Sequence, residues 1–339
     1  HAILCASRPL IEQVLRHRTA AVENIVLHSE SRVSAIVAAP TAGAVHGVRV
    51  ETESGLSKTL EADLVVDASG RGALTMALLD ALGWPRPEQS EVGVDISYAT
   101  AILEMPDDAP AWKVAITLPN PPVLALNAVL LPAEGGRWIV DYGATRRLET
   151  WEDFLGAARR LSTRTIHDAI RGLAPLEDIR HYRFPASIWR HFERLPSLPR
   201  GVLPLGDALC RFNPSYGQGM SAAAQQARLL RDVLGRMAGE PDPIAAAQAG
   251  FMAEVSSVIG TPWNMSTGAD LAFPATRGER SEDFEDGRRF EAALFRAAAA
   301  DPVVHRAVIE VAQLLQPHSR LQQPDIIERI EAVAVNAVA

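Results

Sequence analysis

The clearest chemistry in this sequence comes from an acidic residue that directly follows an apolar run. Residues 202–205 are apolar and lie between two glycines, a pattern typical of a buried strand in a parallel sheet. Gly206 and Asp207 come next. A carboxylate at the carboxyl end of such a strand can accept hydrogen bonds from a ribose hydroxyl. The stretch therefore predicts a binding site for a nucleotide-like ligand.

A glycine-containing turn follows this strand and leads into a long helix. Pro214 interrupts the loop, Gly217 and Gly219 come after it, and an alanine-rich helix is predicted from about Met220. The first amides of a helix have no intrahelical acceptor, and the positive end of the helix dipole lies there. These amides can hold an electron-rich carbonyl or a developing anion. The glycines let the backbone approach a flat ring.

A second glycine turn lies in residues 67–83, which read as a strand end, a turn and a helix. Gly70 and Gly72 superficially suggest a dinucleotide-binding fingerprint. Thr75 stands where the third glycine of that fingerprint would be, and no acidic strand end follows at about twenty residues. We therefore reject this turn as the primary nucleotide-binding loop.

The Gly-Asp pair followed by Pro-x-x-Gly-Gln-Gly-Met resembles the flavin-facing motif of FAD-dependent monooxygenases of the aromatic-hydroxylase and squalene-epoxidase type. In that family the aspartate binds the ribityl or ribose part of FAD, and the helix start faces the pyrimidine edge of the flavin. The resemblance implies FAD as cofactor. The residues that it assigns to FAD binding here are Gly206, Asp207, Pro214, Gly217, Gln218, Gly219 and Met220.

Two segments nearer the start of the chain resemble the same family. Residues 8–15 are similar to its R-x-x-L-E-x-x-L segment, with Ile11 where leucine is usual. The resemblance therefore implies that Arg8 reaches the pyrophosphate or ribose of FAD. The segment that holds Val33 runs past the adenine in that family, mostly through backbone contacts, and the Val33 side chain is expected in the core.

The turn at Ser69 and Gly70 resembles the family's second flavin loop. Aromatic hydroxylases carry Asp-Gly at this place, and the Ser-Gly pair is more similar to the epoxidase, halogenase and prenyl-reductase branches. The departure counts against direct binding of NADPH. NAD(P)H and a separate flavin reductase therefore remain alternative electron sources.

The resemblance implies an FAD-dependent monooxygenase that hydroxylates or epoxidises a small apolar or aromatic metabolite, as in bacterial secondary metabolism. In that family the reduced flavin reacts with oxygen to a C4a-(hydro)peroxide, and the protein supplies a dry, shaped cavity. A flavin-dependent prenyl-type reductase or a halogenase is one alternative, although the W-x-W-x-I-P signature of tryptophan-type halogenases is absent. A relative that has lost the cofactor and only binds a ligand is another.

The composition narrows the class of protein. The 339 residues are 47% hydrophobic and 22% charged, which is typical of a globular protein with two or three domains. A net charge of −8 gives no basic surface for nucleic acid.

The cysteines, Cys5 and Cys210, have no metal or redox spacing, which favours a reducing cytoplasm. No apolar run reaches transmembrane length, and no signal peptide is visible. Lysine occurs only at Lys58 and Lys113, which indicates a GC-rich bacterial source.

The elements that must position these motifs can be read from turns and periodicity. A helix capped by Ser7 is predicted to run to about Ala20. Strands are predicted at 1–6, 24–29, 32–38, 46–52 and 63–69. Alanine-rich helices follow the flavin-facing motif at about 244–259, 287–300, 302–315 and 325–337.

Consecutive strands without crossover helices predict an antiparallel sheet in the middle of the chain. They lie at 92–105, 112–118, 123–131, 137–144 and 179–185, with two helices at 151–161 and 165–172. In the resembling family, such an inserted sheet forms the wall of the substrate cavity. The polar residues that could line this wall for a small-molecule substrate are Tyr98, Asn127, Tyr142 and Tyr182.

The expected fold class is α/β, with a Rossmann-like FAD-binding sheet of the glutathione-reductase type, an inserted antiparallel substrate domain and C-terminal helices. The expected domains are a partial FAD-binding domain (1–88), the substrate domain (89–192), the return of the FAD-binding domain (193–240) and a helical region (241–339). We expect the first βαβ unit to be missing, because such a unit needs about thirty residues and none precede His1 in this sequence. We expect the chain to be a fragment of a longer gene that binds flavin poorly by itself.

Other catalytic patterns are absent from the sequence. There is no G-x-S-x-G elbow of a hydrolase, and the histidines form no H-E-x-x-H pattern. No metal site is therefore predicted, and no catalytic side chain is assigned. His167, His181, His191 and His305 are expected at the surface or as caps. Cys210 is expected to be a buried, inert thiol.

Overall fold

The computed structural model describes residues 4–40, 43–53 and 55–336, with side chains described as far as residue 333. The helices are α1 (Arg8–Ala20), α2 (Ala73–Leu82), α3 (Trp151–Arg160), α4 (Thr165–Ile170), α5 (Gly219–Met237), α6 (Pro243–Leu271), α7 (Phe284–Ala300), α8 (Pro302–Ala312) and α9 (Pro324–Asn336). The strands are β1 (Ser31–Ala38), β2 (Val45–Thr52), β3 (Ser57–Glu61), β4 (Val65–Asp67), β5 (Gln89–Glu104), β6 (Ala115–Thr117), β7 (Asn127–Ala133), β8 (Arg137–Ala144), β9 (Arg180–Arg190), β10 (Val202–Pro204) and β11 (Cys210–Arg211).

The chain divides into two compact units. We call the first the sheet unit; it holds the described residues up to 30, with 94–185 and 273–275. We call the second the helical unit; it holds the described residues of 31–93, 186–272 and 276 onward. This division differs from the domain boundaries expected from the sequence, because the segment that contains α1 clusters with the antiparallel sheet.

The sheet unit contains the predicted antiparallel sheet. The strand order of the whole six-stranded sheet is β11-β9-β5-β8-β7-β6. Alternate residues of β5, β7 and β8 point to the face covered by α3 and α4, as the period of two in a strand requires. Phe154, Ile166 and Ile170 of these helices are fully buried in that core. A capping box at Thr150 and Asp153 starts α3.

The helical unit begins with a three-stranded antiparallel meander, β1-β2-β3. Its apolar face packs against α2 through a cluster that includes Ile36, Val45, Leu78 and Val202. The last of these residues belongs to β10, which pairs in parallel with β4. The meander and the parallel pair therefore share one core.

Helix α6 is hydrogen-bonded to strand β10 and to the residues before it through one buried side chain. The Gln248 side chain is buried and donates to the carbonyls of Pro199, at 2.9 Å, and of Val202, at 2.6 Å. Gly250 of α6 lies against Val233 of α5, where an added Cβ would approach Val233 Cγ1 to 3.0 Å. These contacts hold α6 against both α5 and the strand that precedes Gly206 and Asp207.

The C-terminal helices α7, α8 and α9 have a core of their own, formed by Leu294, Ala297, Val304, Val311 and Ile326 among others. Asp301 caps α8 by accepting from the amides of Val303 and Val304. No helix in the described part of the chain is both long enough and apolar enough to cross a membrane.

Several predicted elements are confirmed and two are wrong. Ser7 caps α1, accepting from the Leu10 amide at 3.2 Å. The strand predicted at 24–29 is wrong, because that segment pairs with no strand among the described residues. In the strand predicted at 1–6, residues 1–3 lie outside the described residues and residues 4–6 are not in a strand. Helix α6 continues beyond its predicted end and contains Pro262.

Candidate functional site

Two parallel strands of the helical unit deliver the two predicted flavin loops to the same place. Val202 of β10 pairs with Val65 of β4, and Pro204 pairs with Asp67. The Leu205 amide then donates to the Asp67 carbonyl at 3.0 Å. The loop with Ser69 and Gly70 and the loop with Gly206 and Asp207 therefore start side by side, at the carboxyl ends of neighbouring strands, where open α/β sheets bind ligands.

Asp67 holds the first of these loops in place through three hydrogen bonds. Its side chain is 4% exposed and accepts from the Ser69 amide at 3.0 Å, the Thr75 amide at 3.1 Å and the Thr75 hydroxyl at 2.7 Å. Burial alone would raise the pKa of Asp67, but these hydrogen bonds outweigh it and hold the pKa below its ordinary value. Asp67 therefore stays ionised and locks the turn that presents Ser69 and Gly70.

The two loops touch through backbone at Gly72. A Cβ at this position would lie 2.8 Å from the carbonyl oxygen of Ala208, too close for any side chain. Gly72 also has a left-handed φ of 63°. The glycine that resembled part of a dinucleotide fingerprint therefore serves loop-to-loop packing.

Side-chain hydrogen bonds hold the second loop, and the acidic residue of this loop is exposed. The Gly206 amide donates at 2.8 Å to Gln226 of α5, whose side chain is fully buried. Arg190 donates to the carbonyls of Asp207, at 3.3 Å, and Ala208, at 3.2 Å. Burial, reinforced by the nearby charge of Arg211, lowers the pKa of Arg190 from its ordinary value. Asp207 itself is exposed.

The turn before α5 is open to solvent. Gly217 has a left-handed φ of 68°, is exposed, and has no atom within 4 Å of the position that a Cβ would occupy. Gly70 and Gly219 have the same open space. Met220 is 56% exposed. Within the described residues, the space on the Cβ side of these glycines is open, so a flat ring can approach the backbone from that side.

No side chain caps the start of α5, so the amides of its first turn are not used by a capping group. The side chain of the N-cap residue Gln218 is buried instead, and its amide nitrogen donates to the Ala312 carbonyl at 3.2 Å. Of the residues that the resemblance assigned to FAD, Gln218 can therefore offer a ligand its backbone but not its side-chain amide nitrogen.

Two other residues assigned by the resemblance belong to other elements, α1 and β1. Arg8 belongs to the sheet unit, has an exposed side chain and donates to Glu12 at 2.7 Å. Val33 lies on β1 and is 37% exposed. The expectation that the Val33 side chain is in the core is therefore wrong.

Three of the four polar residues predicted to line the sheet share one face. Tyr98 pairs with Gly143 on β8, and Asn127 pairs with the same glycine from the other side. Tyr182 of β9 lies on this face too, with its ring centroid 6.4 Å from that of Tyr98. Tyr182 is exposed, whereas Tyr98 is buried.

Tyr142 does not belong to that face, so its predicted place in the wall is wrong. It alternates with Asp141 and Gly143 along β8, and its side chain points into the core under α3 and α4. It is fully buried, with its ring 4.9 Å from the ring of Phe154 in an edge-on arrangement. The pKa of Tyr142 is raised by burial.

An acid that the sequence patterns did not single out lies on the same face as Tyr98 and Asn127. Asp141 pairs across the strands with Thr100, whose hydroxyl donates to its carboxylate. Burial raises the pKa of Asp141 to about 6, and the Thr100 hydrogen bond opposes the rise. An acidic residue within an otherwise apolar strand was the available signal.

The four histidines were expected at the surface or as caps, and two of them, His167 and His191, are buried. His191 is the N-cap residue of the 3₁₀ turn Phe192–Arg194, although its side chain makes no capping hydrogen bond. The His191 ring has one nitrogen 2.8 Å from the Ser90 hydroxyl and the other 2.8 Å from the Glu193 carboxylate. Cys210 is buried as expected, and burial raises the pKa of its thiol. No group of three or more metal-binding side chains occurs within the residues described.

The buried hydroxyl of Tyr142 provides a test of its placement. It has no hydrogen-bond partner among the described residues, and a buried unpaired hydroxyl costs about 1–3 kcal/mol. We expect Tyr142→Phe to raise the free energy of unfolding by about 1 kcal/mol in urea titrations, because it removes that cost. Tyr182→Phe, at an exposed position, is the control and should change nothing. A destabilised Tyr142→Phe protein would contradict the placement.

No protein-family model matches the chain. It is 31% identical over 280 residues to Protein Rv3254 of Mycobacterium tuberculosis, a match that covers 79% of this chain and 57% of that protein. The chain thus spans little more than half the length of this curated relative.

Solved flavoprotein structures share the fold. A flavoprotein/dehydrogenase from Cytophaga hutchinsonii is similar over 99% of this chain and 76% of its own, with a TM-score of 0.65 and 15% identity. The flavin-dependent halogenase CmlS is similar over 86% and 54%, with a TM-score of 0.60 and 17% identity. PqsL, a probable FAD-dependent monooxygenase from Pseudomonas aeruginosa, is similar over 77% and 70%, with a TM-score of 0.55 and 17% identity.

The resemblance found in the sequence is thus confirmed at the level of the fold. The chain has mixed helices and antiparallel sheets arranged as in FAD-binding flavoproteins, and its structural neighbours are FAD-dependent monooxygenases and flavin-dependent halogenases.

Proposed function

We propose that this protein is an FAD-dependent monooxygenase that inserts one oxygen atom into a small apolar or aromatic metabolite, by hydroxylation or epoxidation. One observation carries the proposal. Two loops start side by side at the carboxyl ends of the parallel strands β4 and β10, and the second of them packs on α5 through Gly206, whose amide donates to Gln226. An open glycine turn leads into this same helix, and among the described residues no side chain caps its start. An acid, accessible glycine backbone and unused helix amides are the groups that a flavin nucleotide requires.

The residues of the helical unit are of the chemical types that FAD binding needs. The exposed Asp207 carboxylate would accept from hydroxyls of the ribityl or ribose part. The backbone at Gly70 and Gly217 would lie against the ring system, since no side chain occupies that space. The first amides of α5 would face the electron-rich edge of the ring.

FAD, when bound, supplies the redox and oxygen chemistry. The chain itself would bind and orient the cofactor and the substrate, and it would exclude water from the site. The first amides of α5 would stabilise negative charge next to them, because they are fixed donors at the positive end of a helix dipole. Gln226 and Arg190 fix the loop that presents Asp207, so that the carboxylate need not be reorganised when the cofactor binds.

Two other activities remain as alternatives. A flavin-dependent halogenase is favoured by the similarity to CmlS and by the Ser69-Gly70 loop, and the same loop also fits a prenyl-type reductase. A binding protein without cofactor is the alternative from another class. NAD(P)H or a separate flavin reductase would supply electrons to either enzyme.

Spectroscopy and product mass separate these possibilities. The protein, produced from its complete gene and reconstituted with FAD, should show the absorption bands of a bound flavin. Turnover that requires oxygen and adds one oxygen atom to the product supports the monooxygenase. Turnover without oxygen that adds two hydrogens indicates a reductase, and incorporation of a halide indicates a halogenase. A protein that takes up no FAD contradicts the proposal.

Asp207 provides the residue-level test. We expect Asp207→Ala to raise the Kd for FAD about tenfold, because it removes a charged acceptor for the sugar hydroxyls. Asp207→Asn keeps a neutral acceptor and should have a smaller effect. Asp232→Ala, on the exposed side of α5, is the matched control, and both Kd values can be measured by quenching of flavin fluorescence. If Asp207→Ala and the wild type bind FAD with equal affinity, Asp207 is not part of the flavin site.

A further inference from the structure

A carboxyl group near the end of α6 is buried directly behind the glycine turn. Asp270 is 4% exposed and lies in the last turn of the helix. The negative end of the helix dipole makes this an unfavourable place for a carboxylate. A buried carboxyl at such a position needs strong hydrogen bonds to be tolerated, and the groups that supply them identify its role.

The partners of Asp270 come from both ends of one short turn. The side-chain amide of Asn213, which is fully buried, donates to both carboxylate oxygens at 2.9 and 3.0 Å. The Tyr216 hydroxyl donates to one of them at 2.9 Å. Asn213 in turn accepts from the Ser215 amide at 3.1 Å. One acid thereby holds the residue before the turn and the residue at its end.

The geometry of this turn decides how Gly217 is presented. Residues Pro214–Tyr216 form a single 3₁₀ turn, which the Gly217 amide closes by donating to the Pro214 carbonyl at 3.0 Å. The left-handed Gly217 follows, and α5 begins two residues later. A change in the turn would therefore move both the open backbone and the helix amides.

We infer that Asp270, in its ionised form, is a positioning residue that holds the 213–217 turn in the conformation that receives the flavin. The inference rests on the proposed flavin site. It gives the turn an anchor 54 residues away from Tyr216 in the sequence, in a segment for which the sequence suggested no chemistry.

The inference predicts a dependence on pH. Burial raises the pKa of Asp270 to about 6, against the hydrogen bonds from Asn213 and Tyr216. Those two groups, both from the 213–217 turn, are the polar partners that act on the carboxyl. One charged side chain lies at the same end of α6, since Arg280 donates to the carbonyl of the adjacent Leu271 at 3.1 Å. Protonation removes the charge, so both oxygens become weaker acceptors for the Asn213 amide and the Tyr216 hydroxyl, and one oxygen then carries a hydrogen that the Asn213 amide nitrogen cannot accept. The turn should therefore loosen below pH 6.

Overall stability depends on this group in the opposite direction. The folded pKa of about 6 lies above the ordinary value of 3.8, so the contribution of Asp270 to the free energy of unfolding falls as the pH rises through this range. Acidification thus favours the fold through Asp270. A loss of flavin affinity near pH 5.5 would consequently not be an effect of unfolding caused by this residue.

The test is the Kd for FAD between pH 5.5 and 8, measured on the protein produced from its complete gene, with hydrogen exchange at the Ser215 and Gly217 amides measured over the same range. For the wild type we expect affinity to weaken about tenfold as the pH falls through about 6, together with faster exchange. Asp270→Asn should bind with the weaker affinity at every pH. Asp242→Asn, at the other end of α6, is the matched control and should keep the wild-type profile.

The outcomes separate this inference from the proposed function. If the wild type binds FAD with the same affinity from pH 5.5 to 8, or if Asp270→Asn follows the wild-type profile, Asp270 does not position the turn, and the flavin site stands. If the wild type binds no FAD at any pH, both proposals are wrong. If Asp270→Asn does not fold, the pH dependence of the wild-type Kd for FAD alone decides whether Asp270 positions the turn.

Discussion

Gly217→Val is expected to abolish FAD binding, with the Kd raised at least about a hundredfold, equivalent to about 2.7 kcal/mol. Two effects act together. Gly217 has a φ of 68°, where a β-branched residue is strained. The valine side chain would also fill the open space beside the turn, where no atom now lies within 4 Å of the Cβ position. Absorbance of the purified protein after incubation with FAD measures the loss.

Gly136 supplies the control for the strain alone. It lies in the hairpin between β7 and β8, has a φ of 67°, and has the same open space around a Cβ. Gly136→Val therefore carries a similar backbone cost outside the glycine turn, and it should lower stability without changing FAD affinity. If both variants bind FAD equally well, the open space at Gly217 is not where the ring lies.

Asp67→Ala is expected to lower the free energy of unfolding by about 3 kcal/mol. The substitution leaves the amides of Ser69 and Thr75 and the hydroxyl of Thr75 without their acceptor, in a place where Thr75 is fully buried. Urea titration followed by circular dichroism measures the change. The loop with Ser69 and Gly70 should lose its fixed conformation, so FAD affinity should fall as well.

The pH dependence of this effect follows from the lowered pKa of Asp67. Its stabilising contribution is fully present above the ordinary value of 3.8 and is lost as the pH falls through the lower folded pKa. The difference between the wild type and Asp67→Ala should therefore shrink below pH 4. Asp80→Ala removes an exposed acid whose partner is Arg86, and it should leave stability nearly unchanged. A large loss in Asp80→Ala and none in Asp67→Ala would contradict this account.

Local patterns in the sequence were sufficient to find the loops of the candidate site. Gly206 and Asp207 follow a short apolar strand, and Gly217 and Gly219 precede a helix, so strand, acid and turn could be read in order. The antiparallel sheet and the C-terminal helices were predicted for the same reason, since alternation and helical spacing are properties of neighbouring residues.

Features that depend on distant partners were not predictable in this way. The segment 24–29 has strand-like residues, but a strand needs a hydrogen-bonded neighbour, which the pattern does not show. Tyr142 was placed on the wrong face because one residue of register decides which side of a sheet a side chain takes. Asp270 could not be connected with Asn213 because 57 residues separate them.

Helix α6 contacts both strand β10, through Gln248, and the glycine turn, through Asp270. A helix rises about 1.5 Å and rotates about 100° per residue, so the 21 residues between these positions, which include Pro262, set the distance and the angle between the two contacts. An insertion or deletion of one residue in this interval would turn Asp270 away from Asn213. Surface loops accept changes in length, whereas this interval of α6 should resist them and should keep one length among proteins that share the turn.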